Sequence, residues 1–184
     1  PACTTGTRSR TRAPATAASI SGTSDRFNHG MTGPFSQTPD ISCGLPPVTG
    51  PAPLVLILGS FPSVRSLERG EYYGNPKNRF WAVMEDLFAI PSALPYPERT
   101  RLLTGKRVAL WDVVRSCTRE GSADSRIRQA VPNDIAGFAR AHPALRLVAL
   151  NGSAAGSLYH RFAEVPGIPS VILPSTSPAN AAVT

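Results

Sequence analysis

Residues 54–58 read Leu-Val-Leu-Ile-Leu, and Gly59-Ser60-Phe61-Pro62-Ser63 follows at once. So short a run with no polar position predicts a strand covered on both faces, because a half-exposed strand would alternate. Similar runs recur at 108–111, 147–150 and 171–173. Helical spacing lies between them. Phe80, Val83, Met84, Leu87 and Phe88 stand at i, i+3, i+4, i+7 and i+8, which is one helix face. Asn133 is placed to cap a helix through Phe138, and Ser153 to open one carrying Leu158, Tyr159 and Phe162. Strands alternating with helices imply crossover connections. The expected fold is α/β, a three-layer α/β/α sandwich around a central, mostly parallel four-stranded sheet.

Outside this region the chain changes character. Residues 1–40 are rich in Thr, Ser, Ala and Arg, with no acid before Asp25. They carry too little apolar surface to offset the entropy of ordering, so a disordered basic extension is expected there, ahead of an α/β domain over 41–184. The same composition fits an organelle transit peptide, and that alternative stays open. The 184 residues, 41% of them hydrophobic, suffice for one domain with a sizeable core. With no run of ~18 apolar residues, a membrane span is not expected. Cys3, Cys43 and Cys117 are far apart, as are His29, His142 and His160. Neither CxxC nor HxxxH spacing occurs, so no metal site or disulfide framework is predicted. The net charge is +7 and the pI about 10.0. Of 19 cationic residues only Lys77 and Lys106 are lysine, and the arginine excess makes a polyanion such as nucleic acid the first partner to consider.

In an open α/β sheet, ligands bind beyond the carboxyl ends of the strands. There this sequence offers Gly59–Ser63, then Asp112 and Ser116-Cys117-Thr118-Arg119, then Asn151-Gly152-Ser153, and finally Pro174 to Asn180. All four are small and polar, suited to close approach of backbone N–H groups and hydroxyls to phosphate. GxxxxGK[ST], GxGxxG and GxSxG are absent, which removes support for a Walker, dinucleotide or serine-hydrolase reading. The stretch Glu71-Tyr72-Tyr73-Gly74-Asn75-Pro76-Lys77-Asn78-Arg79-Phe80-Trp81 brings aromatics, amides and cations into one loop. Aromatics stack on bases and cations hold a nucleic-acid backbone, although Phe80 and Trp81 equally suit the core face of the helix they begin.

Taken together, Gly59-Ser60-Phe61-Pro62-Ser63, Tyr72-Tyr73-Gly74-Asn75-Pro76 and Asn78-Arg79-Phe80-Trp81 resemble the uracil-DNA glycosylase superfamily, most nearly its hypoxanthine-DNA (deoxyinosine) glycosylase branch. Leu110-Trp111-Asp112-Val113, Ser116-Cys117, Gly121-Ser122, Asp124-Ser125 and residues 173–180 fit the same pattern in order, so the resemblance runs from about Gly44 to Thr184. It implies a monofunctional DNA glycosylase that flips a deaminated base from double- or single-stranded DNA and hydrolyses its N-glycosidic bond. It implies no cofactor, no metal and a monomer, at the nucleoid in the cytoplasm. Relatives of this family continue with a last helix after the fourth-strand loop, and that helix is expected to be missing here.

Site roles follow from the resemblance residue by residue. Much of the superfamily has Asp or Asn where this chain has Phe61, and Phe61 cannot orient water. That task passes to Asn78, whose alternative is capping the following helix. Phe80 resembles the platform under the base. Phe61, Ser60, Asp112 and Asn151 are the remaining base-side candidates, with Asp112 accepting from N1–H of hypoxanthine or, alternatively, holding backbone N–H groups. Ser63, Arg79, Arg119, Ser175, Ser177, Ala179 and Asn180 are the DNA-side candidates. Three other readings remain: a mismatch-type uracil or thymine glycosylase, a non-catalytic nucleic-acid-binding domain, and a nucleotide-binding domain for a small phosphorylated ligand, which the fold allows but which lacks a phosphate fingerprint here.

Overall fold

The computed structural model describes residues 41–179, so the predicted extension over 1–40 and the candidate Asn180 lie outside the described residues. In chain order the elements are β1 (Ile41–Cys43), β2 (Val55–Gly59), α1 (Val64–Arg69), α2 (Phe80–Phe88), α3 (Tyr96–Gly105), β3 (Val108–Asp112) and β4 (Val114–Thr118). After a 3-10 turn (Asp124–Arg126) come β5 (Arg128–Pro132), α4 (Ile135–Ala141), β6 (Leu147–Asn151), α5 (Ser153–Phe162) and β7 (Ser170–Leu173). Four strands form an all-parallel sheet in the order β3-β2-β6-β7. This is the expected central sheet.

Its apolar strands bury both faces because alternate side chains leave in opposite directions. Leu56 and Leu58 join Val148, Leu150, Phe138 and Tyr159 on the α4–α5 side. Ile57 joins Leu110, Trp81, Met84 and Leu103 on the α2–α3 side. These two cores make the three layers. On β7, by contrast, Val171, Ile172 and Leu173 are 40–50% exposed, as expected for an edge strand.

Four details correct the sequence reading. The buried stripe of α2 is Phe80, Trp81 and Met84, while Leu87 is 67% exposed; the apolar face is rotated by about a residue. Asp134, not Asn133, caps α4 by accepting from Gly137 N at 2.7 Å, and the buried Asn133 instead donates to the Asp112 carbonyl at 2.8 Å. Helices α1 and α3 had no clear spacing signal. The segment around Ser116 is not a loop but β4, the middle strand of a second sheet, β1-β4-β5, antiparallel throughout.

Candidate active site

Strand order reverses at β2. From β2 the chain goes first to its neighbour β3 and later returns to the opposite neighbour β6. A crevice must open where the two connections diverge. There the structure holds a cavity of about 310 Å³, at the small end of ligand pockets and suited to one compact planar group. Its wall contains Gly59 from the end of β2, Asp112 from the end of β3, Asn151 from the end of β6, and Ser175, Ser177 and Ala179 beyond β7. Ser60, Phe61, Ser63 and Asn78 complete the set of predicted residues that converge here.

Asp112 lies at the heart of it. Its side chain is buried at 4% exposure, and Oδ2 has no hydrogen-bond partner among the described residues. Burial, reinforced by the nearby Asp124 carboxylate and opposed by Arg119, pushes the Asp112 carboxyl up to about 8. Near neutral pH the protonated form therefore dominates. This alters the expected chemistry: a carboxyl group that donates as well as accepts, rather than a carboxylate that only accepts. A Cβ on Gly59 would stand 2.4 Å from Asp112 Oδ1, so only glycine leaves room for the carboxyl group. Gly59→Ala is accordingly expected to cost about 1–3 kcal/mol, read as a lowered melting temperature; an unchanged melt would show that Asp112 moves aside freely.

Asn78 uses half of its amide locally. Oδ1 accepts from Phe80 N at 3.0 Å, across the start of α2, whereas Nδ2 has no partner among the described residues. Capping and a contact inside the cavity are thus compatible. Asn151 clamps the β7 loop through both ends of its amide: Nδ2 donates to Thr176 Oγ1 at 2.9 Å and Oδ1 accepts from Thr176 N at 3.0 Å. The Arg79 N–H donates to Thr176 O at 3.1 Å, tying the same loop to the start of α2.

Tyr73 replaces Phe80 at the cavity wall. The Phe80 ring is 2% exposed and lies under Tyr73, with centroids 3.8 Å apart and planes 11° from parallel. Tyr73 adopts φ 55°, a left-handed conformation that folds its ring back over α2, and burial pushes its phenol well above the usual tyrosine range. Only the adjacent Gly74 hinted at so tight a return. Ser63 caps α1, accepting from Ser66 N at 3.2 Å, and Ser66 Oγ accepts from Gly74 N at 3.2 Å, which fixes the Tyr73 loop.

Arg119 is not a phosphate contact. Its side chain is 2% exposed, its guanidinium lies 4.8 Å from the Phe61 ring centroid, and NH2 donates to the Pro62 carbonyl. It braces the first loop from behind. Arg79 is exposed, as its predicted role requires. The cavity residues not singled out as site candidates include Tyr73, Ser122, Ala123 and Asp124.

Fold and site define an α/β enzyme that takes a small ligand into a cleft at the switch point of a parallel sheet. Residues 46–184 match the Uracil DNA glycosylase superfamily. Two relatives from the genus Methanosarcina carry the name "Hypoxanthine DNA glycosylase". The one from M. acetivorans is 39% identical over 145 residues, covering 76% of this chain and 89% of its own. The one from M. barkeri is 34% identical over 142 residues, covering 74% and 87%. The solution NMR structure of a candidate uracil DNA glycosylase from M. acetivorans superposes with a TM-score of 0.70 at 36% identity, over 79% of this chain and 90% of the other. The chain belongs to the uracil DNA glycosylase superfamily and is a DNA glycosylase. Among the described residues no helix is long and apolar enough to cross a membrane.

Proposed function

We propose that the cavity receives a deaminated base flipped out of DNA, hypoxanthine first, and that the protein hydrolyses the bond between that base and its deoxyribose. The observation that carries this is Asp112: a buried carboxyl group with an orphan oxygen at the cavity wall, held largely protonated near pH 7. A departing base carries away the electron pair of the broken bond. A neutral acid donates to that developing anion, where a carboxylate would repel it. The names of the two Methanosarcina relatives point to the same substrate.

In this reading Asn78 holds the attacking water with the half of its amide that the helix leaves free. Tyr73 and Phe61 flank the base. Asn151 keeps the β7 loop in place, and Ser175, Ser177, Ala179 and the exposed Arg79 face the DNA backbone. The reaction is a hydrolysis and takes no cofactor. The enzyme is read as a monomer acting at the nucleoid in the cytoplasm.

The test is a set of duplexes carrying one deoxyinosine, one uracil or one G·T mismatch, with the released base identified by chromatography and the abasic site by alkali. Free hypoxanthine is the expected product. Release of uracil or thymine alone would move the substrate to the mismatch-type reading. Binding without release of any base would make this a non-catalytic DNA-binding domain.

A further inference from the structure

The cavity wall carries a second carboxyl group whose surroundings are the opposite of Asp112's. Asp124 begins the 3-10 turn after β4, and its side chain is 39% exposed. Ser60 Oγ donates to its Oδ1 at 2.6 Å, and Arg119 NH1 stands 4.0 Å from the same oxygen. The segment carrying it is pinned in turn by the Val64 N–H, which donates to Ser122 Oγ at 3.1 Å. A group from 64 residues downstream is thus delivered to the residue that follows the end of β2. The unpartnered, buried Asp112 oxygen lines the same cavity and marks it as a place where a polar ligand completes the hydrogen bonding.

Hydrolysis at this site has two proton needs. The leaving base must gain a proton, and the attacking water must lose one. An amide such as Asn78 can hold a water but is too weak a base to take its proton. We propose that Asp124 is the second catalytic residue, the base that receives the water's proton and faces the positive charge developing on the sugar; this rests on reading the cavity as the base-excision site. The water oxygen bonds to C1′ as the C1′–N bond breaks, and that bond's electron pair leaves with the base. Asp112 gives its proton to the base, and the water gives one to Asp124. Hypoxanthine departs neutral, and solvent at the exposed Asp124 resets the pair. Two carboxyl groups with opposed environments are a recurring solution for breaking glycosidic bonds.

The experiment measures single-turnover release from a deoxyinosine duplex, alongside affinity for a duplex holding the uncleavable 2′-fluoro analogue. Asp124→Asn keeps an acceptor for Ser60 but loses the base. A rate loss of about 10²-fold or more, with affinity changed less than about threefold, is expected. Formate is expected to restore part of the rate in Asp124→Ala. An Asp124→Asn rate within about threefold of wild type, or a loss that tracks affinity, overturns the assignment. If Asp124→Asn does not fold, Asp124→Ala decides: intact affinity with a slowed rate that formate partly restores supports the role, and a rate within about threefold of wild type overturns it. Wild type that releases no base overturns the proposed function itself, a result distinct from an active wild type that tolerates Asp124→Asn.

Discussion

Asn78→Ala is expected to slow base release by about 10²–10³-fold while costing only about 1 kcal/mol of stability. The two losses come from different halves of one amide. Oδ1 satisfies the Phe80 N–H at the start of α2 from the position just before the N-cap Arg79. Nδ2 has no partner among the described residues, and the side chain lines the cavity. Alanine removes both. Asn78→Ser returns a capping oxygen without the amide N–H, so its melting temperature should approach wild type while its rate stays low. Asn78→Asp sharpens the distinction, keeping an acceptor for Phe80 and replacing the free donor with an oxygen. Single-turnover rates on a deoxyinosine duplex, read beside thermal melts, separate the roles. If the serine variant recovers rate and stability together, Asn78 is a cap and nothing more.

How much of this was legible before the structure depended on how local each cause was. Strands β2, β3 and β6 announce themselves because both faces are covered, leaving no polar position in the run. Gly59, Asp112 and Asn151 follow from them, since each ends or directly follows a buried run and the strand ends mark the crevice. Strands β4 and β5 were hidden: Val-Arg-Ser-Cys-Thr and Arg-Gln-Ala-Val-Pro are short and polar, and the register between them shifts. The misplacements share a cause, which is distance along the chain. Arg119 reads as a surface cation until Phe61 and Pro62, 57 residues away in the case of Pro62, supply a ring and a carbonyl to cover it. Asp124 becomes a site residue only through Ser60. Phe80 lost the wall because Tyr73 doubles back in a left-handed conformation that tyrosine rarely adopts. The resemblance supplied the right motifs, but motif order could not say which of two neighbouring aromatics faces the ligand.

The pH dependence of the enzyme is where Asp112 shows its state. With its carboxyl pushed up to about 8, the donating form prevails below that pH and is lost above it. Base release is therefore expected to hold through neutrality and then fall, approaching tenfold per pH unit beyond about 8. Asp112→Asn cannot supply a proton, so the rate should drop about 10²–10³-fold and the alkaline fall should disappear. Stability provides a second readout with its own sign. The unfolded chain releases this proton near 3.8, while the folded protein keeps it to about 8. Across that window the folded state binds more protons, so this group's contribution is complete below about 4 and declines as pH rises to about 8. Melting temperatures of wild type should thus decline from pH 5 to pH 8 relative to Asp112→Asn, and the variant should be the more stable protein above pH 8. Parallel profiles for the two proteins, in rate and in melting temperature, would mean that Asp112 is ionised throughout. The leaving base would then find its proton elsewhere, because a buried negative charge at this position opposes the anion that the reaction must form.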